Sequence, residues 1–316
     1  MKLTRRTAIK KCGVAALGTS GVAPQFSWAV DELPLKGLPI GFSTYGLPGI
    51  PIDEAIEMAQ RVGYDALEIC VTEDRGMSAD QMKFTQRRDV RSLTKEYGLD
   101  ITSLMEHLQP LSTPEHHKSD LERLKRTSNL AHDLFPEAPP VIQTVLGGKN
   151  WNTQREVLAD RLANWVDIAE SHEVVVAIKP HRGHAMSRPS EAAWLIGELG
   201  NPPRLQMWFD YSHFVLRDMA MNQLVQESLP ITAGVAVKDA KRVDEKVRFV
   251  LPGEAGTIDY KQLFSMLYEG GYRAPICVEV SSQVWKQPNY DPLDAMNKSY
   301  VTISDALRRA DIPRRH

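Results

Sequence analysis

The sequence predicts a single-domain α/β protein, a (β/α)8 barrel of the TIM type, on three observations. Short apolar runs rich in β-branched residues alternate with amphipathic stretches along most of the 316 residues, and strict alternation argues for a parallel sheet with right-handed crossovers. Eight such units close naturally into a barrel. Several of the runs end abruptly in charge, which is where barrels of this kind keep their chemistry. The competing open doubly wound sheet lacks support, because no Gly-x-Gly-x-x-Gly follows the first run and no P-loop is present; the same absence argues against a nucleotide cofactor.

Taken in order, residues 39–45 read as the first strand and 53–62 as a helix with Ala55, Ile56, Met58, Ala59 and Val62 on one face. A turn at Gly63-Tyr64-Asp65 leads to the second strand, 66–71. A charged amphipathic helix follows over 78–97, closed by Gly98. The third strand, 101–105, ends at Glu106-His107. A polar helix over 114–135 precedes the fourth strand, 141–146, which ends in Gly147-Gly148-Lys149; a helix over 153–171 follows. The fifth strand, 174–178, is wholly apolar and opens into Lys179-Pro180-His181-Arg182-Gly183-His184. Ser190 and Glu191 mark the start of a helix over 190–199. The sixth strand, 205–209, ends in Asp210, with His213 three residues on, and a helix covers 218–227. The seventh strand, 231–237, ends in Lys238-Asp239. The loop Pro252-Gly253-Glu254-Ala255-Gly256 leads to a helix over 258–269, the eighth strand over 275–280 carries Glu279, and a helix over 292–310 closes the chain.

The first 29 residues stand apart from this pattern. Thr4-Arg5-Arg6-Thr7 is basic with paired arginines, a weakly apolar run from Gly13 to Ala23 follows, and Ser27-Trp28-Ala29 supplies small residues for cleavage. This reads as a twin-arginine export signal cut after Ala29, leaving 30–316 as the barrel. The apolar run is too short and glycine-rich to span a bilayer comfortably, so no membrane span is expected after cleavage. Export places the protein in the periplasm or outside the cell. The segment holds Lys2, Arg5, Arg6, Lys10 and Lys11 and no acids, so its loss moves the formal net charge from −2 to −7. An acidic protein is a poor nucleic-acid binder. Cys70 and Cys277 sit in apolar runs and are expected as buried free thiols.

The strand-end residues carry a resemblance. Gly63-Tyr64-Asp65-Ala66-Leu67-Glu68, Lys179-Pro180-His181, Asp210-Tyr211-Ser212-His213, Val235-Ala236-Val237-Lys238-Asp239, Pro252 to Asp259, and Glu279 together resemble the xylose-isomerase-like barrels, the sugar (phosphate) isomerase/epimerase superfamily. The resemblance spans nearly all of the mature chain. It implies a small carbohydrate substrate and one divalent ion of the Mn, Mg, Zn or Co type, held by Glu, Asp, His and Glu from four strand ends. Asp210 and Glu279 match two of those positions, whereas Lys179 and Ala236 stand at the other two. A lysine ammonium has no lone pair and opposes a dication by roughly 8 kcal/mol at about 4 Å and an effective dielectric near 20. Three readings of Lys179 stay open: a charge substitute in an active enzyme, a relic site, or a rearranged metal site using His181 or His213 with Asp210 and Glu279.

The resemblance implies proton transfer beside the carbonyl of a small keto-sugar or polyol. Glu279 is then the base and Lys179, or a metal, the electrophile. His181, His213, Lys238, His107 and Trp285 are expected to contact substrate, with Glu106 lining the mouth and Glu68 a structural carboxylate. The same residues allow a structural ion pair of Glu279 with Lys179 or Lys238 and a surface ion pair of Lys238 with Asp239, and Trp151 and Trp285 either stack on sugar or pack at the rim. Two alternatives are a lyase or glycoside-cleaving enzyme acting on oxidised sugars, and an inactive carbohydrate-binding barrel. An oligomer is compatible with all three.

Overall fold

The computed structural model describes residues 37–314; the expected export signal lies outside the described residues. Eight parallel strands close into a barrel: β1 (Ile40–Ser43), β2 (Ala66–Cys70), β3 (Asp100–Met105), β4 (Val141–Val145), β5 (Val176–Lys179), β6 (Leu205–Phe209), β7 (Thr232–Val237) and β10 (Ile276–Val278), with β10 pairing back to β1. Around them run α1 (Ile52–Val62), α2 (Phe84–Glu96), α3 (Pro114–Leu134), α4 (Trp151–Ser171), α5 (Pro189–Glu198), α6 (Met221–Ser228), α7 (Tyr260–Glu269), the short α8 (Ser282–Trp285) and α9 (Pro292–Arg309). A hairpin, β8 (Asp239–Val243) and β9 (Lys246–Val250), is inserted directly after β7 and pairs with itself alone.

Period-2 alternation decides what faces the lumen. Val141, Ala177, Trp208, Ala233, Ala236 and Cys277 form a small apolar cluster separate from the main core between sheet and helices. Two positions further along four of these strands lie Lys179, Asp210, Lys238 and Glu279. The apolar layer is therefore the floor on which the charged residues stand. It is tightly fitted: a Cβ built on Gly234 would lie 2.1 Å from the Trp208 ring, so only glycine lets the indole fill the lumen.

Helix starts follow local chemistry. Thr113, Asn150, Asp259 and Asp291 each accept a backbone N–H at the first turn of α3, α4, α7 and α9. Two expected starts are corrected. α2 begins at Phe84 rather than at 78, because residues 78–82 form a turn whose carbonyls bind Arg87: its Nε donates to Met82 O at 2.8 Å and its Nη2 to Ala79 O. α5 starts at Pro189, and Ser190 does not cap it; Glu191 instead accepts the backbone N–H groups of Ser187 and Arg188 at 2.6 and 3.0 Å. The hairpin was not anticipated. Cys70 and Cys277 are buried and free.

Candidate active site

Lys179, Asp210, Lys238 and Glu279 leave neighbouring strands at the C-terminal end of the barrel and meet. Lys179 Nζ lies 2.5 Å from Glu279 Oε2 and 3.0 Å from Asp210 Oδ2. Lys238 Nζ bonds to Asp210 Oδ2 and reaches Glu279 Oε1 at 2.7 Å. Each acid thus holds both lysines, and two positive charges face two negative ones. The quartet is almost dry, with exposures of 3% for Lys179, 2% for Lys238, 0% for Asp210 and 7% for Glu279. Burial of single charges is costly, and only this mutual pairing makes it tolerable.

The charge states follow. Burial alone would raise the Glu279 carboxyl, but Lys179 and Lys238 outweigh it and bring it down to about 2. Burial opposes ionisation of Asp210 as well, and Lys238, Lys179 and His213 hold it well below the ordinary carboxylate range. Burial pulls the Lys179 ammonium down, while Glu279 and Asp210 push it back above an ordinary lysine. Lys179 therefore stays protonated, which disfavours a Schiff-base nucleophile and suits polarisation of a carbonyl.

Asp210 Oδ1 accepts from Ser212 N and Oγ at 3.2 and 2.6 Å. His213 Nε2 lies 3.4 Å from Asp210 Oδ2, and its Nδ1 accepts the backbone N–H of Arg182 at 3.2 Å. That bond assigns the neutral-ring proton to Nε2, facing the acid. Burial and Lys238 lower the imidazole to about 4. His181 stacks on His184 at 4.3 Å and lies tilted against His213 at 4.2 Å between ring centroids. Phe249, carried in by the hairpin, sits edge-on to His213 at 4.8 Å and 5.2 Å from Lys238 Nζ.

On the opposite side of the mouth Tyr45 joins His107 and Trp285, at centroid distances of 6.2 and 5.6 Å. Arg75 lies over the Trp285 ring at 4.7 Å and over Tyr45 at 5.4 Å. His181 Nδ1 and Trp285 Nε1 are buried polar atoms without a hydrogen-bond partner. Such groups at a mouth are ready contacts for a hydroxylated ligand.

The structure thus brings Lys179, Asp210, His213, Lys238 and Glu279 into one cluster, with His181 beside it and His107 and Trp285 across the rim. Lys238 is buried in the quartet and makes no surface pair with Asp239, whose Oδ1 instead accepts Ala240 N–H at 2.8 Å. Glu106 turns away from the mouth: it bonds to Arg123, and to Thr127 Oγ1 at 3.0 Å, both on α3. Glu68 accepts Ser103 Oγ and Gln143 Nε2 at 2.9 and 3.2 Å, and burial raises its carboxyl. Trp151 meets Trp194 edge-on at 5.5 Å and packs at the rim. Tyr45, Arg75, His184 and Phe249 were not singled out from the sequence, although His184 falls in the cation cluster after β5.

A match to the xylose-isomerase-like TIM barrel family model covers residues 56–299. The chain belongs to that family. Its relatives include sugar epimerases. L-ribulose-5-phosphate 3-epimerase UlaE of Escherichia coli K12 is 27% identical over 287 residues, covering 87% of this chain and 97% of that protein. Among solved structures, E. coli 3-keto-D-glucoside 4-epimerase YcjR superposes with a TM-score of 0.68 at 17% identity over 85% of this chain and 99% of that one. The IolI protein, solved with a bound zinc, gives 0.69 at 17% over 87% and 98%. At such identities the two superpositions show a shared fold.

The strand-end residues of this xylose-isomerase-like barrel do not fit a divalent ion. Among the described residues no group of three or more His, Cys, Asp or Glu side chains is placed to hold one. Both carboxylates that would be ligands already bind ammonium groups, which offer no lone pair.

Proposed function

We propose that this barrel is a carbohydrate enzyme of the isomerase/epimerase type, acting by proton transfer next to the carbonyl of a small keto-sugar or polyol. The observation that carries it is the buried quartet at the strand ends. Two fixed ammonium groups supply the two positive charges that the resemblance assigns to one ion, at the place where a substrate oxygen would develop negative charge. Lys179 and Lys238 polarise that oxygen, and the low-dielectric surroundings strengthen the effect. Glu279 is the base. In the free protein both its oxygens are engaged, and a carboxylate at about 2 is a weak base. A substrate oxygen that draws the ammonium groups onto itself relieves Glu279 and raises its basicity as the enolate forms. His181, His213, His107 and Trp285 hold the hydroxyls and ring face. Asp210 holds both lysines in place and, with Glu279, keeps Lys179 charged. The names of the sugar epimerases among the relatives support the substrate class. The paired arginines near the N-terminus support export.

The test is solvent deuterium incorporation into keto-sugars, followed by NMR with and without chelator. Exchange at the carbon beside the carbonyl, insensitive to chelator and reduced by at least about a hundredfold in Glu279→Gln, is the expected result. Unchanged exchange in that variant would remove Glu279 from the mechanism. A second reading has its own observation: the quartet is electrically complete without substrate, which favours a barrel that binds sugar without turning it over. Binding without exchange across the sugar panel would select that reading.

A further inference from the structure

The quartet is neutral, yet the rim beside it is not. Arg182 follows His181 directly, and its backbone N–H is tied to His213. Its Nη1 is buried without a hydrogen-bond partner. The hairpin that carries Arg242 reaches the same histidine through Phe249, 4.8 Å from the His213 ring, and Arg217 joins the loop after β5 at Ser187; burial and then Arg242 lower the Arg182 guanidinium, and burial, Arg188 and Arg182 lower that of Arg217. Two acids near these four guanidinium groups leave them in excess. Glu191, whose carboxylate accepts the N–H groups of Ser187 and Arg188, offsets part of the charge at Arg217. Glu245 is 93% exposed and 3.8 Å from Arg242. Arg217 turns to neutral partners, Ser187 O at 2.7 Å and Ser187 Oγ at 3.4 Å. Among the described residues no carboxylate pairs with Arg182. A knot of guanidinium groups with an unsatisfied nitrogen, in a chain of net negative charge, is a cost that a bound anion removes. The guanidinium fork matches phosphate and carboxylate alike.

Resting on the carbohydrate reading above, we propose that Arg182, flanked by Arg217 and Arg242, forms an anion subsite for the phosphate or carboxylate at the far end of the sugar. The hairpin sets the spacing. Phe249, against Lys238, pairs with Ala240, and Arg242 pairs with Val247 two residues further out, about 7 Å along the ladder. That step, counted from the Phe249 rung, is within the length of a pentose or hexose chain. The subsite thus selects sugar acids or sugar phosphates over neutral sugars.

Isothermal titration of the purified full chain with inorganic phosphate, with glucuronate and with glucose tests this. The expected result is binding of phosphate, glucuronate or both, weakened by salt, and lost about ten- to a hundredfold in Arg182→Gln. Arg242→Gln, on the exposed hairpin where folding is not at stake, weakens it in the same direction, and Arg309→Gln on α9 leaves it unchanged. Phosphate alone would assign a sugar phosphate, glucuronate alone a uronic acid. Binding of neither anion, or equal affinity in the wild-type chain, Arg182→Gln and Arg242→Gln, overturns the subsite. Because the readout is binding, the two proposals fail separately. Anion binding without deuterium exchange retains the subsite and sinks the proton-transfer reading. Exchange on neutral ketoses without Arg182-dependent binding does the reverse.

Discussion

Lys238 shows how two pairings, with Glu279 or with Asp239, compete on paper. Its chain neighbour Asp239 is an obvious partner on paper, but successive strand residues point to opposite faces, so adjacency forbids the pair and closure of the barrel supplies Asp210 and Glu279 instead. Lys179, Asp210 and Glu279 were legible because each ends an otherwise apolar run. The quartet also fixes how stability depends on pH. Asp210 and Glu279 have folded values below the unfolded 3.8 and 4.5. Their contribution is present above those unfolded values and lost as pH falls through the folded ones. For Glu279 this amounts to roughly 3 kcal/mol. His213 acts in the same direction: neutral in the fold down to about 4 against 6.5 unfolded, it lets the unfolded chain take up the first proton. Stability therefore declines below pH 6.5 and more steeply below 4.5. Urea midpoints measured stepwise across that window check this, and a flat profile contradicts it. At neutral pH, Lys179→Met leaves two buried acids sharing one lysine and costs roughly 3–5 kcal/mol, read from the same midpoints.

At the scale of elements, the eight barrel strands were readable and the hairpin was not. A strand buried on both faces announces itself as a continuous apolar run, whereas β8 and β9 are largely exposed and charged. Their signal was weak: Val247, Phe249 and the two-residue turn Asp244-Glu245, both with positive φ, 46° and 60°. With the hairpin went Phe249, a part of the mouth that no strand end supplies. The floor under the quartet is an element-scale feature as well. β6 and β7 fit together because Gly234 leaves the Trp208 ring its volume. Gly234→Ala overpacks that contact and is expected to destabilise by about 1–3 kcal/mol, read as a lower urea midpoint. If the indole shift is transmitted two residues along β6 to Asp210, activity falls further than the loss of folded protein accounts for. Equal midpoints in variant and wild type would show that the lumen floor is looser than the geometry states.

For the whole molecule, the proposed leader and the scaffold can be separated from each other. If residues 1–29 are a twin-arginine leader, as proposed, Arg5→Lys with Arg6→Lys is expected to leave uncleaved precursor in the cytoplasm, seen as a band larger by the 29 residues that end at Ala29. Export of the double variant at the wild-type rate argues against the twin-arginine route. The scaffold bears on what chemistry the mouth can host. Its core lies between sheet and helices and in the apolar lumen floor, so the strand-end side chains can change while the barrel keeps its shape. The resemblance read from the sequence implies a glutamate and a histidine where this chain has Lys179 and Ala236. Lys179→Glu with Ala236→His, joined by Lys238→Ser to clear the second ammonium, turns two cations and two acids into three carboxylates and one imidazole. That set is a donor shell for a hard or borderline dication. Without metal the triple variant is expected to melt below the wild type, because its carboxylates repel. Added zinc is expected to restore stability by about 3 kcal/mol at a hundredfold excess over its dissociation constant, and chelator to remove the gain. The wild-type melting point should respond to neither. A wild-type melting point raised by zinc and lowered by chelator would mean that the lysines yield the site to a metal, and the ammonium pair could not then be its permanent occupant.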